Sequence, residues 1–304
     1  MEKVTFTYAL SEEQKIKKQQ KVERLLKNPI LKKWMNKYQV DEEFVYNHSG
    51  KLSDYCEMMG KCTSCAGLDF CRQPTLGKQL DLYVDGLLYN RVVNCAYQQK
   101  ELRALQHQKF YCEGDISKPY FLIDLKTLDV SKESKEYKAC YDKVIDLLMD
   151  EHPLKGLYLW GKPGSGKTYL AAGICNYYAK QSKRVAFVNV PKLISDLKMM
   201  FHESEAMERK LYQIKKADVL VLDDIGGESV TSWSRDDILL PLLDARMEAK
   251  KLTIFTSNYA MNEVKQKLSG TTNKNNEPMA AERLIERIKA LSCEIFVKGE
   301  SRRK

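Results

Sequence analysis

Residues 161–168 read Gly-Lys-Pro-Gly-Ser-Gly-Lys-Thr, and this octet constrains the fold of the chain more than any other stretch. It follows the apolar run Gly156-Leu-Tyr-Leu-Trp160 and precedes the helix-like Tyr169-Leu-Ala-Ala-Gly-Ile-Cys175, so it marks a place where a buried strand turns into a helix. Every position of GxxxxGK[ST] is met in the context that gives the motif its meaning. Glycines let the backbone close around an anion and aim successive N–H groups at it, and the helix start behind them adds partial positive charge. On this pattern Gly161, Lys162, Pro163, Gly164, Ser165 and Gly166 cradle phosphate, Lys167 reaches the β- and γ-phosphates of ATP, and Thr168 holds Mg²⁺.

Four further runs, Arg184-Val-Ala-Phe-Val-Asn-Val190, Ala217-Asp-Val-Leu-Val-Leu-Asp-Asp224, Leu252-Thr-Ile-Phe-Thr-Ser-Asn258 and Cys293-Glu-Ile-Phe-Val297, are separated by helical patterns. With the strand that feeds the loop they predict an α/β domain with a five-stranded parallel sheet and crossover helices. Asp223 and Asp224 follow four apolar residues at a strand end: the first carboxylate is placed to order Mg²⁺ through water, the second to polarise an attacking water. Asn258, ending the next strand, puts a side-chain amide beside the γ-phosphate.

The first hundred residues have a different character. Ser11-Glu-Glu-Gln14 is a capping box opening a basic helix, Asn28-Pro29 stops it, and Ile30, Leu31, Trp34 and Met35 begin a second helix. A helical hairpin of about 40 residues is too small to fold confidently without a staple. Cys62-Thr-Ser-Cys65 and Cys71 supply one: a CxxC knuckle offers two thiolates to a tetrahedral Zn²⁺, which takes four ligands. The fourth is Cys95, Cys56 or His48. Cys95 is preferred because it returns from beyond Leu80-Asp-Leu-Tyr-Val-Asp-Gly86, a hairpin strand and turn, and would tie two segments together. Residues 108–135, with weak periodicity, Gly114, Pro119 and a polar patch from Ser131, are expected to form a linker between an N-terminal domain (1–107) and the ATPase domain (136–304). No apolar run approaches the ~18 to 20 residues that span a bilayer, and the start has no signal-peptide layout, so a cytoplasmic place without membrane contact is expected. In such a reducing compartment clustered cysteines bind metal more often than they form disulfides. The formal net charge of +9 favours polyanionic partners.

The extra strand between the loop strand and Asp223, with a polar residue on the next strand end, resembles the AAA+ class of ATPases over residues 120–304. Asp223-Asp-Ile-Gly-Gly-Glu228, Thr256-Ser-Asn258, Glu282-Arg-Leu-Ile-Glu-Arg-Ile288 and the tail Gly299-Glu-Ser-Arg-Arg-Lys304 resemble the bacterial helicase-loader ATPases, and a zinc-bearing domain ahead of them is similar to the DnaI-type loaders. The resemblance implies an ATP-dependent loader that places the hexameric replicative helicase on single-stranded DNA during primosome assembly, with other primosome proteins as partners. ATP would then act as a switch, hydrolysed weakly and under stimulation by DNA or partner. The competing functions are a transposition helper ATPase and a non-hydrolysing scaffold that keeps ATP bound. Two departures from the AAA+ pattern stand out. Asp224 replaces the usual Glu, and the helical lid is absent, leaving Arg302 or Arg303 as weak substitutes for its nucleotide-sensing Arg.

By the same resemblance, the stretch Lys192-Leu-Ile-Ser-Asp-Leu-Lys-Met-Met-Phe201 holds an extra helix turned toward DNA, with Lys192 and Lys198 as phosphate contacts. Phe201 either stacks on a base or, with Leu193 and Leu197, packs the helix on the sheet. Arg283 and Arg287 lie one turn apart after the polar loop 269–278; Arg287 matches the family's arginine finger, which enters a neighbour's ATP site and requires self-association.

Overall fold

A computed structural model describes residues 11–227, 231–269 and 277–299, which belong to two compact units, Met1–Arg103 and Ala104–Lys304. In the first, Ser11 caps α1 (Glu12–Leu26) as a capping box with Gln14. Asn28 caps α2 (Pro29–Tyr38), with Pro29 in the first turn where a missing N–H costs nothing. Next come α3 (Glu42–Asn47), α4 (Ser49–Gly60) and an antiparallel hairpin of β1 (Lys78–Asp85) and β2 (Leu87–Asn94), then α5 (Ala96–Ala104). The hairpin is the one its sequence predicts, turning at Gly86. Leu31, Val45, Leu52 and Leu82 are buried together with Trp34, whose indole N–H donates to the Leu82 carbonyl at 2.8 Å and fastens α2 to β1. This unit therefore has a core of helices against a hairpin, more than the helical pair alone would supply.

The second unit is built on a parallel sheet of six strands, not five. They are β3 (Tyr111–Gly114), β4 (Gly156–Trp160), β5 (Val185–Asn189), β6 (Val219–Asp223), β7 (Leu252–Ser257) and β8 (Ser292–Phe296), in the spatial order β3-β5-β6-β7-β4-β8. Both faces are covered. Ala186, Val188, Leu220 and Leu222 pack into one core, while their neighbours Val185, Phe187, Val219 and Val221 pack into the other. That double burial is why these strands read as unbroken apolar runs. The additional strand, β3, lies inside the stretch 108–135 expected to be a linker. A four-residue edge strand with Glu113 and Gly114 in it, and a register shift against β5, carries no such run. The same stretch continues through α6 (Lys118–Phe121) and a short turn, Leu125–Thr127, to Ser134, which caps α7 (Lys135–Met149) through its hydroxyl.

Helix α8 (Lys167–Lys180) follows β4; α9 (Val190–Met199) and α10 (Ser204–Lys216) both lie between β5 and β6, so this crossover does contain a helix beyond the one it needs. A wide helical turn, Trp233–Leu239, leads into α11 (Leu240–Glu248), and α12 (Met261–Ser269) and α13 (Glu277–Leu291) precede β8. Among the described residues no helix follows β8, and none is long and apolar enough to cross a membrane. Glu228, Arg302, Arg303 and most of the polar loop 269–278 lie outside the described residues.

Arg246 of α11 is fully buried, and among the described residues no carboxylate is bonded to it. Its guanidinium donates instead to Thr253 Oγ1 (2.8 Å) and to the carbonyls of Lys215 (3.2 Å), Ala217 (2.8 Å) and Leu252 (2.6 Å), tying the end of α10 to the start of β7. Burial pushes its pKa down to about 10, which still leaves it charged at neutral pH. Arg246→Met would fill much of the volume yet strand these carbonyls. A loss of about 3 kcal/mol or more is expected, read as an earlier denaturation midpoint of this unit.

Candidate functional site

The loop after β4 takes the conformation its glycines allow: φ is 84° at Gly164 and 100° at Gly166, both in the left-handed region. Gly166 is the residue before α8, so the free N–H groups of that helix open into the loop. Lys167 is only 7% exposed, and its ammonium donates to the carbonyls of Gly161 and Lys162 and to Asn258 Oδ1, each at 2.9 Å.

The two aspartates occupy different surroundings. Asp223, buried at the end of β6, accepts at Oδ1 from Thr168 Oγ1 (2.9 Å) and Thr256 Oγ1 (2.7 Å), and at Oδ2 from Asn189 Nδ2 (3.4 Å). Three donors fix the direction in which this carboxylate points, beside the Thr168 hydroxyl. Asp224 has a left-handed backbone, φ 60°, which an aspartate tolerates better than most residues. Its N–H donates to Thr256 Oγ1 at 3.0 Å, and its Oδ1 accepts from Asn258 Nδ2 at 2.9 Å. Asn258 thus bridges Lys167 and Asp224, its oxygen facing the cation and its nitrogen the carboxylate.

A pocket of about 740 Å³ brings together Pro163, Gly164, Gly166, Lys167, Thr168, Asp223, Asp224 and Asn258. Gly161 and Lys162 act through their carbonyls. The side-chain hydroxyl of Ser165, fully buried, has no hydrogen-bond partner among the described residues. Five lining residues escaped the sequence reading as site residues: Tyr120, Leu128, Tyr169, Asn189 and Thr256. The last two end or nearly end their strands on the same edge as Asp223, the edge where open α/β sheets bind ligands, and that position was a usable signal. Tyr120 and Leu128 come from the supposed linker, for which there was none. Arg287 does not line the pocket; its Nε donates to Asp244 Oδ1 at 2.5 Å.

Cys62, Cys65, Cys71 and Cys95 line one cavity of about 260 Å³ in the first unit. Cys56 is elsewhere, buried in the apolar core with its thiol pKa raised by that burial, and His48 lies against the Phe44 ring at 4.4 Å. Backbone N–H groups reach two of the sulfurs, Gly77 to Cys71 Sγ and Gln98 to Cys95 Sγ, both at 3.5 Å, and the bond from Gly77 lowers the Cys71 pKa. Among the described residues, however, no three Cys, His, Asp or Glu side chains converge closely enough to hold a metal ion. The four cysteines expected to bind zinc therefore line one cavity without forming a closed ligand set.

On α9, Leu193 and Leu197 are buried in the sheet core, but Phe201 is not: it is 54% exposed and stands 5.0 Å from the Trp233 ring. Lys198 is exposed, whereas Lys192 is ion-paired with Asp115.

Comparison with known proteins follows these two units. Residues 152–304 match the family described as IstB-like ATP binding protein. The chain is 31% identical over 303 residues to the replicative helicase loader DnaI of Bacillus subtilis, covering 95% of this chain and 91% of that protein. It is 33% identical over 105 residues to the replicative helicase loader DnaC of Escherichia coli, 34% of this chain and 42% of that one. A crystal structure of DnaI superposes with a TM-score of 0.55 at 32% identity, covering 65% of this chain and all of that one.

Proposed function

This chain belongs to the DnaI-type replicative helicase loaders, and on that premise we propose that it uses ATP to hand the hexameric replicative helicase to single-stranded DNA. The observation that carries the proposal is the reach of the likeness, which runs through both units. A transposition-helper role would draw on the ATPase half alone.

In this reading the N–H groups of the loop and Lys167 bind the β- and γ-phosphates, and Thr168 with Asp223 holds Mg²⁺, whose charge offsets that of the phosphates. Asp224 polarises the attacking water, and Asn258, already bridging Lys167 and Asp224, reports the γ-phosphate to both. The bond from Arg287 to Asp244 uses Nε, so the two terminal nitrogens are the part of the guanidinium to be offered to a neighbouring subunit's pocket. Lys167→Ala should abolish ATP binding; Asp224→Asn should keep binding and lose turnover. Mixing Lys167→Ala with Arg287→Ala should restore part of the activity, since one supplies the finger and the other the loop. An Arg287→Ala protein that turns over ATP at the wild-type rate would remove the finger, and an unaltered ATP titration of Lys167→Ala would remove the site.

The thiols of Cys62, Cys65, Cys71 and Cys95 take one zinc ion. Their shared cavity supports this, as does the seating of Cys56 in the apolar core, away from it. Closing a tetrahedral site requires the four partly buried thiols to draw together around the ion, and such a site contributes folding energy directly. Metal analysis of the full chain should return about one zinc per molecule, lost in Cys65→Ser and kept in Cys56→Ser. Zinc-free protein that is fully folded would reject the assignment.

Phe201, exposed and backed by the half-buried Trp233 ring, offers a face on which an unstacked base can lie, and exposed Lys198 at the end of the preceding helix offers a cation for phosphate. The deciding experiment combines both partners. Full-length protein with ATP should capture purified replicative helicase and transfer it to immobilised single-stranded DNA. Phe201→Ala with Lys198→Glu should still capture helicase and transfer less of it. Failure of the wild type to capture helicase rejects the loader reading; equal transfer by the variant rejects only this DNA surface.

A further inference from the structure

Beyond the residues of the phosphate loop the pocket is walled by Tyr120, on α6, and Leu128, just after the turn Leu125–Thr127, both on a segment that precedes the matched residues 152–304. One face of α8, the helix that the phosphate loop feeds, holds that segment. Asn176 is 1% exposed and all its hydrogen-bonding capacity is engaged there. Nδ2 donates to the carbonyls of Tyr120 (2.8 Å) and Ile123 (2.9 Å); Oδ1 accepts from the Tyr111 hydroxyl (2.7 Å) and meets His107 Nε2 (3.1 Å). One turn earlier on the same face, Gly173 leaves room for Leu125: a Cβ at position 173 would stand 2.4 Å from Leu125 Cγ. Leu125 is itself buried, and its carbonyl accepts from the Tyr141 hydroxyl. Neither Asn176 nor Gly173 lines the pocket.

We propose that Asn176, with Gly173, is a positioning residue that sets where Tyr120 and Leu128 stand, and so how tightly the pocket grips the nucleoside part of its ligand, while leaving the phosphate contacts untouched. The amide reaches the pocket through the very peptide of Tyr120. Losing it strands two carbonyls and frees the segment to move, whereas Lys167, Thr168 and Asp223 are held by bonds that do not involve Asn176. The inference rests on the nucleotide reading of the site, and two ligands separate the two ideas: MgATP, and magnesium tripolyphosphate, which has the phosphates without the nucleoside. In calorimetric titrations of the full chain, Asn176→Ala should weaken MgATP by about tenfold and change tripolyphosphate by less than about twofold. A purely structural asparagine would weaken both alike. Equal losses on the two ligands, or no loss on either, overturn the proposal. Wild-type protein that binds neither ligand overturns the nucleotide reading and this proposal with it. If Asn176→Ala does not fold, Tyr111→Phe, which deletes one bond to Oδ1 and keeps the ring, decides on the same pair: a selective, few-fold loss of MgATP is expected.

Discussion

The charge of Lys167 is the constraint around which the second unit is arranged. A buried ammonium is tolerable only where oxygens face it, and here two loop carbonyls and the amide oxygen of Asn258 are among those that do. That requirement fixes which strands must be neighbours. Because β4 lies between β7 and β8, the end of β7 stands next to the loop, and Asn258 can reach the lysine. One strand further on, β6 presents Asp223 to Thr168 and Asp224 to the other end of the Asn258 amide. A sheet with β6 directly beside β4 would bring a carboxylate to the loop with no amide between them. The inserted β7 thus converts an ion pair into a bridged chain, cation to amide to carboxylate, in which no member can move without releasing the next.

Much of this was readable before any coordinates, and the reason is burial. Strands covered on both faces must be apolar nearly throughout, so β4 to β7 stand out as short apolar runs, and a motif placed at their ends inherits its position in space. What stayed hidden lacked that signature. Edge strand β3 has a polar residue and a glycine in four positions. Tyr120 and Leu128 belong to a segment fastened to α8 by contacts more than 40 residues later in the chain, among them Asn176 to the Tyr120 carbonyl and Leu125 against Gly173. No local pattern encodes such a contact. Spacing predicted Phe201 as an alternative between core and surface, and the buried stripe ends one turn short of it, at Leu197. The cysteines divide by the same physics. Cys56 sits on the inner face of α4 at a helical position occupied by core residues, while the knuckle cysteines lie in irregular chain where nothing apolar claims them.

The two surfaces assigned to ligands in the second unit meet at one side chain. Asn189 ends β5; its Oδ1 accepts the Lys192 N–H at 3.1 Å and caps α9, the helix whose far end leads to Phe201. Its Nδ2 donates to Asp223 Oδ2. The same amide therefore caps a helix on one side and restrains the Asp223 carboxylate on the other. An amide is planar, so turning its nitrogen away from Asp223 also swings its oxygen away from the helix N-terminus. Meanwhile Lys192 to Asp115, and Lys210 to Glu113 and Asp196, anchor α9 and α10 to each other and to edge strand β3, so the pair is held as a body. The N-terminus of α9 and the Asp223 carboxylate are thus tied to one amide, the helix through its oxygen and the carboxylate through its nitrogen.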